Sequence, residues 1–131
     1  MIEFFEPMVP PNVTHNDLLA VPRTNGKAAL VKSQALKQAE AKWVAHLAKH
    51  APEKPLCGPV ALEMRICWPT GGKHGQGDWH AVKPDADNVE KVVFDVMGKL
   101  RYFDNDSRIA VHTTAKLWSD PAGIYVRMYE I

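Results

Sequence analysis

Two stretches of the chain carry apolar residues at the three-to-four spacing of an amphipathic helix. The first predicts a helix over about Gln34–His50, with Ser33 as its N-cap. The second predicts a helix over about Asn88–Leu100 and is the stronger of the two signals. Its apolar positions are Val89, Val92, Val93, Val96, Met97 and Leu100.

Much of the remaining chain has the pattern of β-strands. Apolar and polar residues alternate over Val60–Trp68, which is typical of a half-buried strand. Two more strands are predicted at Ile109–Trp118 and Gly123–Ile131, and the turn residues at 119–121 predict that they form an antiparallel hairpin. A short strand is possible at Ile2–Phe5.

The order of these elements predicts the fold class. The rest of residues 1–32 is rich in proline and is expected to form a long loop. Two helices and about four strands that do not alternate regularly favour an α+β fold. We expect a single domain over residues 1–131, with a mixed or antiparallel sheet packed on one face by the two helices.

Length and composition fit one globular domain. The chain has 131 residues, of which 46% are hydrophobic and 24% charged, and this excludes a disordered or low-complexity protein. No apolar run approaches the 18 residues of a membrane helix, and Glu3 and Glu6 lie where a signal peptide would carry basic residues. We therefore expect a cytoplasmic protein with no membrane partner.

The net charge of +1 hides an uneven distribution. Residues 23–54 contain seven Lys and Arg against two Glu, a surplus of +5. Residues 85–106 contain six acidic residues against three basic ones, a deficit of −3. A basic stretch beside an acidic centre suits an enzyme that holds a polyanion and cuts it with a metal, although solvated helix faces give the same split.

The acidic centre contains two carboxylates that are two residues apart, Asp85 and Asp87. Asp87 with Glu90 also resembles a capping box, which would make Asp87 purely structural. Asp85 has no such explanation. Two clustered carboxylates repel each other unless a hard cation such as Mg²⁺ lies between them, so a metal site is plausible here.

Two further positions could complete such a site. Asp106 follows the predicted helix and could supply a third carboxylate. Lys91 lies four residues after Asp87 and four before Asp95, so the three form one polar stripe along the helix. Two explanations of this stripe are open. Its residues form salt bridges with one another, or Lys91 points toward the carboxylate cluster and stabilises phosphate charge in the transition state.

Other chemistries have weaker support. Counting from Asp85 or from Asp104 does not place glycine at the sixth position of an EF-hand loop. His46 and His50 have the spacing of two zinc ligands but lack an obvious third one. The phosphate-binding glycine motifs and the nucleophile elbow are also absent from the sequence, so no nucleotide cofactor is expected.

The acidic segment resembles the RusA family of Holliday junction resolvases. The hallmark of that family is D-x-D-N-x-x-K, an amphipathic helix and then a short acidic motif. In this chain the hallmark is Asp85, Asp87, Asn88 and Lys91, with Asp106 nineteen residues after Asp87. The sequence around Asp106 is Asn-Asp-Ser-Arg over residues 105–108, where the family usually has D-D-x-Q.

The resemblance implies a homodimeric endonuclease that depends on Mg²⁺, for which Mn²⁺ could substitute. Such an enzyme binds four-way DNA junctions and nicks two opposed strands symmetrically. Asp85, Asp87 and Asp106 would bind the metal and Lys91 would assist catalysis, so these four are the catalytic candidates. The candidates for DNA contact are Lys83, Asn88, Arg23, Lys27, Lys32 and Arg101. The alternative is a catalytically weakened protein that binds branched or structured nucleic acid.

Overall fold

The computed structural model describes residues 1–14, 18–23 and 25–131 of the chain. This part of the chain has an α+β fold with two helices, a mixed five-stranded sheet and a separate two-stranded hairpin, which confirms the predicted class. The elements are β1 Ile2–Pro7, β2 Leu18–Pro22, β3 Ala28–Lys32, α1 Gln34–Leu47, β4 Val60–Trp68, β5 Asp78–Trp79, α2 Ala86–Lys99, β6 Ile109–Trp118 and β7 Gly123–Glu130. No helix among these residues is long and apolar enough to cross a membrane.

The strands of the main sheet follow the order β1-β7-β4-β6-β5. Strands β4 and β6 are parallel, whereas β7 is antiparallel to both β4 and β1. Helix α2 forms the crossover between the two parallel strands, so it must run back against their direction. Its first turn therefore lies at the end of β6 that carries Lys116, and its last turn lies near the start of β6.

The predicted hairpin of β6 and β7 is wrong, because β4 lies between these two strands and pairs with both. The residues at 119–121 connect the strands, but the connection passes the end of β4, where Ser119 N–H donates to the carbonyl of Trp68 at 2.8 Å. Strand β4 is almost entirely buried, and a central position gives both of its edges a hydrogen-bonding partner. Burial of the most apolar strand therefore determines the strand order.

The long loop predicted within residues 1–32 contains a second structure, the antiparallel hairpin of β2 and β3. Its turn contains Asn25 and Gly26, and Gly26 has the positive φ of 77° that glycine tolerates. Both faces of the hairpin carry exposed apolar side chains, since Leu19 is 53% exposed on one face and Leu30 is 70% exposed on the other. The hairpin is thus an arm, with neither face fully covered by the described chain.

The core lies between the two helices and one face of the sheet. Alternate residues of β4 point into it, and α2 contributes its valine stripe. Trp43 and Leu47 of α1 are also fully buried. Each such side chain stabilises the fold by about 1.5–3 kcal/mol. Neither helix of the described residues covers the opposite face of the sheet, where the guanidinium of Arg65 lies 5.3 Å from the centroid of the Tyr125 ring.

A buried carboxylate ties β1 to α1. The Glu6 side chain is 6% exposed and accepts hydrogen bonds from His46 Nδ1 at 2.6 Å, His50 Nε2 at 2.8 Å and Lys49 Nζ at 2.9 Å. Burial alone would raise the pKa of Glu6, but the hydrogen bonds from His46, Lys49 and His50 outweigh it and lower the pKa to about 2. His46 and His50, which have the spacing of zinc ligands, therefore hydrogen-bond the buried carboxylate of Glu6.

This network predicts a loss of stability in acid. Because the pKa of Glu6 is lower in the folded chain than in the unfolded one, its contribution is complete above about pH 4.5 and disappears as the pH falls towards 2. We expect Glu6→Gln to lower the free energy of unfolding at pH 7 by about 3 kcal/mol. Urea unfolding between pH 7 and pH 2.5 should show this difference shrinking. The exposed Glu53→Gln should change little at any pH, and a Glu6→Gln effect that stays constant down to pH 2.5 would contradict the account.

Candidate active site

The first turn of α2 carries two exposed carboxylates. Asp85 is the N-cap residue, and its side chain makes no capping hydrogen bond. Asp87 lies inside the first turn and is also exposed. The helix thus begins two residues earlier than predicted, and the capping box of Asp87 with Glu90 is wrong, since Glu90 instead faces His112 at 3.5 Å. Both carboxylates lie at the positive end of the helix dipole, which favours negative charge.

Lys116 of β6 holds the segment that leads into Asp85. Its Nζ donates to the carbonyl oxygens of Val82 at 2.7 Å and Pro84 at 2.5 Å. Its own carbonyl accepts the backbone N–H of His80 at 3.0 Å. Burial lowers the pKa of Lys116, and the carboxylate of Asp85 opposes this shift. Lys116 therefore holds the backbone of the segment before the carboxylate pair at His80, Val82 and Pro84.

An aromatic cluster fixes the same segment on its other side. The buried ring of His80 stacks on Trp68 with centroids 4.1 Å apart and lies 4.3 Å from the Trp118 ring. Trp118 also stacks on His74 at 4.0 Å. Burial and the nearby charge of Lys116 lower the pKa of His80. Neither this cluster nor Lys116 was predicted from the sequence; the signals were a histidine just after β5 and a lysine between apolar residues of β6.

The carboxylate of Asp106 lies at the other end of α2. It belongs to a 3₁₀ turn over Asp106–Arg108, which Asn105 caps by accepting the N–H of Ser107 at 2.8 Å. Asp106 lines a cleft of about 390 Å³ beside the last two turns of α2. The other lining residues are Lys32, Phe94, Asp95, Gly98, Lys99, Asp104 and Asn105.

The arginine in the acidic motif of this chain forms an ion pair within the same turn. Arg108, where the family usually has glutamine, binds the Asp104 carboxylate through two hydrogen bonds of 2.8 and 2.9 Å. These bonds hold the pKa of Asp104 below its ordinary value. Asp104 is thus already paired with a cation, the guanidinium of Arg108.

One chain does not bring the three aspartates together. Helix α2 has 14 residues, and the rise from Asp87 to Gly98 beside the cleft is about 16 Å. Ligands of one magnesium ion lie about 2 Å from the metal. Among the described residues, no group of three or more His, Cys, Asp or Glu is placed to hold a metal ion. Asp85 and Asp87 thus lie at the first turn of α2, whereas Asp106 lies beside its last two turns.

The remaining predicted residues divide between the two ends of α2. Lys91 is exposed one turn beyond Asp87, and Lys83 is exposed beside Asp85, while Asn88 is half-buried. Lys32 and Arg101 lie near the Asp106 end, where Lys32 binds Glu40 at 2.9 Å. Arg23 and Lys27 flank the turn of the β2–β3 hairpin. The DNA-contact candidates therefore do not form one patch on a single chain.

The role of Lys116 predicts a local effect of its removal. Lys116→Met keeps the apolar stem but loses the hydrogen bonds to two carbonyls, and each such bond contributes about 1 kcal/mol or more. We expect hydrogen exchange across residues 80–89 to become about tenfold faster, with no change in the β2–β3 hairpin. Exchange measured by mass spectrometry checks this, with the exposed Lys54→Met as control. Unchanged exchange over residues 80–89 would show that Lys116 does not hold the segment.

The chain was compared with protein-family models and with curated protein sequences. A family model described as Endodeoxyribonuclease RusA matches residues 9–129 of the chain, which includes both ends of α2. No curated protein sequence matches the chain. Since the family match spans nearly all of the 131 residues and contains the whole aspartate motif, the chain belongs to the RusA family of endodeoxyribonucleases, which act in the resolution of Holliday junctions.

Proposed function

We propose that this chain is a Mg²⁺-dependent endonuclease that works as a homodimer and resolves four-way DNA junctions by paired, symmetric nicks in the cytoplasm. The observation that carries this proposal is the exposed pair of Asp85 and Asp87 at the first turn of α2, with Lys91 one turn further on. The structural explanation of Asp87 is wrong, because Asp87 is not the N-cap residue and Glu90 faces His112; Asp85, the N-cap residue, makes no side-chain capping hydrogen bond. Family membership adds the class of reaction.

Each residue of the motif has a chemical role in this proposal. Asp85 and Asp87 supply the hard oxygen ligands that Mg²⁺ prefers, with Asp106 as the third carboxylate. Mg²⁺, when bound, would polarise the scissile phosphate and stabilise charge on the leaving oxygen. Lys91 would contribute a positive charge to the phosphate oxygens as negative charge develops on them. Lys116 and the aromatic cluster keep the Asp85 segment in one position, so little reorganisation is needed during the reaction.

The low net charge of the molecule is consistent with DNA binding through a few basic side chains. The net charge is only +1, so attraction to the phosphates must come from particular side chains and not from the whole surface. Lys83 is exposed immediately before the carboxylate pair, where it can contact the phosphate next to the one that is cut. Arg23 and Lys27 at the turn of the hairpin could reach DNA further away.

A second candidate function is a protein that binds branched nucleic acid without cutting it. The observation that favours it is the separation of Asp106 from Asp85 and Asp87 in one chain, together with the Arg108–Asp104 pair. Unneutralised carboxylates next to a DNA-binding surface repel phosphate, however, so a pure binder would gain nothing from three of them. This argument favours the endonuclease.

Cleavage of synthetic DNA tests the proposal. Purified protein is incubated with labelled four-way junctions or linear duplexes in Mg²⁺, Mn²⁺ or EDTA. We expect paired nicks in the junction alone, only with metal, and at least about 100-fold slower nicking by Asp87→Asn, which removes a metal-binding charge. Glu53→Gln makes the same chemical change at an exposed site away from the motif and should cut normally.

The binding of the junction separates the two candidate functions. Asp87→Asn should bind the junction at least as tightly as the wild type in EDTA, because a repulsive charge is removed. Tight junction binding by the wild type without cleavage in either metal would contradict the endonuclease and support the binding protein.

A further inference from the structure

We propose that the indole of Trp79 stacks on an unpaired DNA base at the branch point of the junction and so distinguishes a junction from a linear duplex. The inference rests on the proposed function, in which no residue yet recognises the shape of the substrate. It assigns this role to a side chain outside the aspartate motif.

The first argument is the exposure of Trp79. This residue is 73% exposed, whereas Trp43 and Trp68 are buried and Trp118 is half-buried. Proteins bury most of the surface of their tryptophans, because indole is large and mainly apolar. Val82, three residues further along, is 52% exposed as well. The segment that leads into the carboxylate pair therefore presents two large apolar side chains to a ligand.

The second argument is the rigid backbone beneath the indole. Trp79 belongs to β5, and the N–H of Gly77 just before this strand donates to the carbonyl of Trp118 at 2.8 Å. The N–H of His80 just after it donates to the carbonyl of Lys116 at 3.0 Å, and the ring of His80 is buried. Because the backbone is fixed on both sides, a base that stacks on the indole does not have to order a loose loop.

The third argument is the direction of the indole. Trp79 is paired with Leu117 of β6, and directly paired residues point to the same face of a sheet. This is the face that neither helix of the described residues covers, since Lys116 and Trp118 point to the helix side. A base can therefore approach the indole without displacing either helix.

The fourth argument is the charge around the indole. Residues 73–84 contain two exposed lysines, Lys73 and Lys83, and one acidic residue, Asp78. The Asp78 carboxylate accepts the N–H of Gly75 at 2.8 Å. Because the two lysines attract the phosphates on either side of a base, the segment suits nucleic acid better than an apolar peptide.

The fifth argument is the short reach from the indole to the carboxylate pair. Asp85 follows Trp79 by six residues, and a fully extended chain of that length spans no more than about 20 Å. Successive phosphates of one B-DNA strand are about 3.4 Å apart along the helix axis. The base that stacks on the indole therefore lies within about six nucleotides of the phosphate that is cut.

Stacking on an indole requires a base with an open face. Inside a duplex both faces of each base are covered by neighbouring base pairs, whereas the stack is interrupted at a branch point. Stacking of one such base on an aromatic side chain raises affinity by about 5- to 100-fold. Trp79 thus adds affinity for a junction and none for a linear duplex.

DNA binding in EDTA, followed by fluorescence anisotropy, tests the proposal. Trp79→Ala should weaken binding of a four-way junction by at least about fivefold and leave binding of a linear duplex unchanged. Trp79→Phe keeps an aromatic ring and should retain most of the junction affinity. Ile131→Ala shortens another exposed apolar side chain, at the far end of the sequence, and should bind both DNAs as the wild type does.

Two results of the binding measurement would overturn the proposal. One is a Trp79→Ala variant that binds the junction as tightly as the wild type. The other is an equal loss of affinity for the junction and the linear duplex, because a contact to the DNA backbone would not separate the two substrates.

Photocrosslinking locates the base that stacks on the indole. Iodouracil is placed singly at the branch point and at each position within about six nucleotides of it, and irradiation links it to an aromatic side chain in contact with it. Mass spectrometry should identify a crosslink to Trp79 from a position at the branch point, and none from the same sequence in a linear duplex. Crosslinks to other residues alone would overturn the proposal.

Both measurements are made without metal, so they do not depend on cleavage. A wild type that nicks no DNA in Mg²⁺ or Mn²⁺, beside a Trp79→Ala variant that loses junction affinity alone, would contradict the endonuclease and support the role of Trp79. Metal-dependent nicking of junctions, beside unchanged junction binding by Trp79→Ala, would support the endonuclease and overturn the role of Trp79.

Discussion

The parallel pairing of β4 with β6 is the constraint on which the candidate site depends. Two adjacent parallel strands need a crossover, and in this chain the crossover is α2. The valine stripe of α2 packs on the sheet and fixes the helix against both strands. The two ends of α2 therefore lie at opposite ends of strand β6, and the motif residues that precede and follow the helix are separated by its length.

The elements themselves could be predicted because their patterns are local. The apolar spacing of the valines predicted α2 to within two residues, and the alternation over Val60–Trp68 predicted the bounds of β4. The pairing of strands is not local. Turn residues at 119–121 show that β6 and β7 are connected, but burial of both edges of β4 decides that it lies between them. The β2–β3 hairpin was missed because several prolines in this region favoured a loop.

The arrangement of the candidate site also depends on contacts between residues that are distant in sequence. Spacing along the chain made Asp85, Asp87 and Asp106 the candidate metal ligands, but it could not predict that helix α2 separates Asp106 from the other two. Lys116 was missed because a single lysine in a strand usually lies on a solvated face, whereas here it holds the carbonyls of Val82 and Pro84. Glu6, the partner of His46, lies 40 residues from it in sequence, so no pattern could join them.

The most direct measurement of the central claim is the position of the metal in a crystal of the wild-type protein grown with Mn²⁺. Anomalous scattering locates the ion without reference to any cleavage assay. The account predicts a peak beside the carboxylates of Asp85 and Asp87 at the first turn of α2. A peak at other side chains, with none at these two carboxylates, would contradict it.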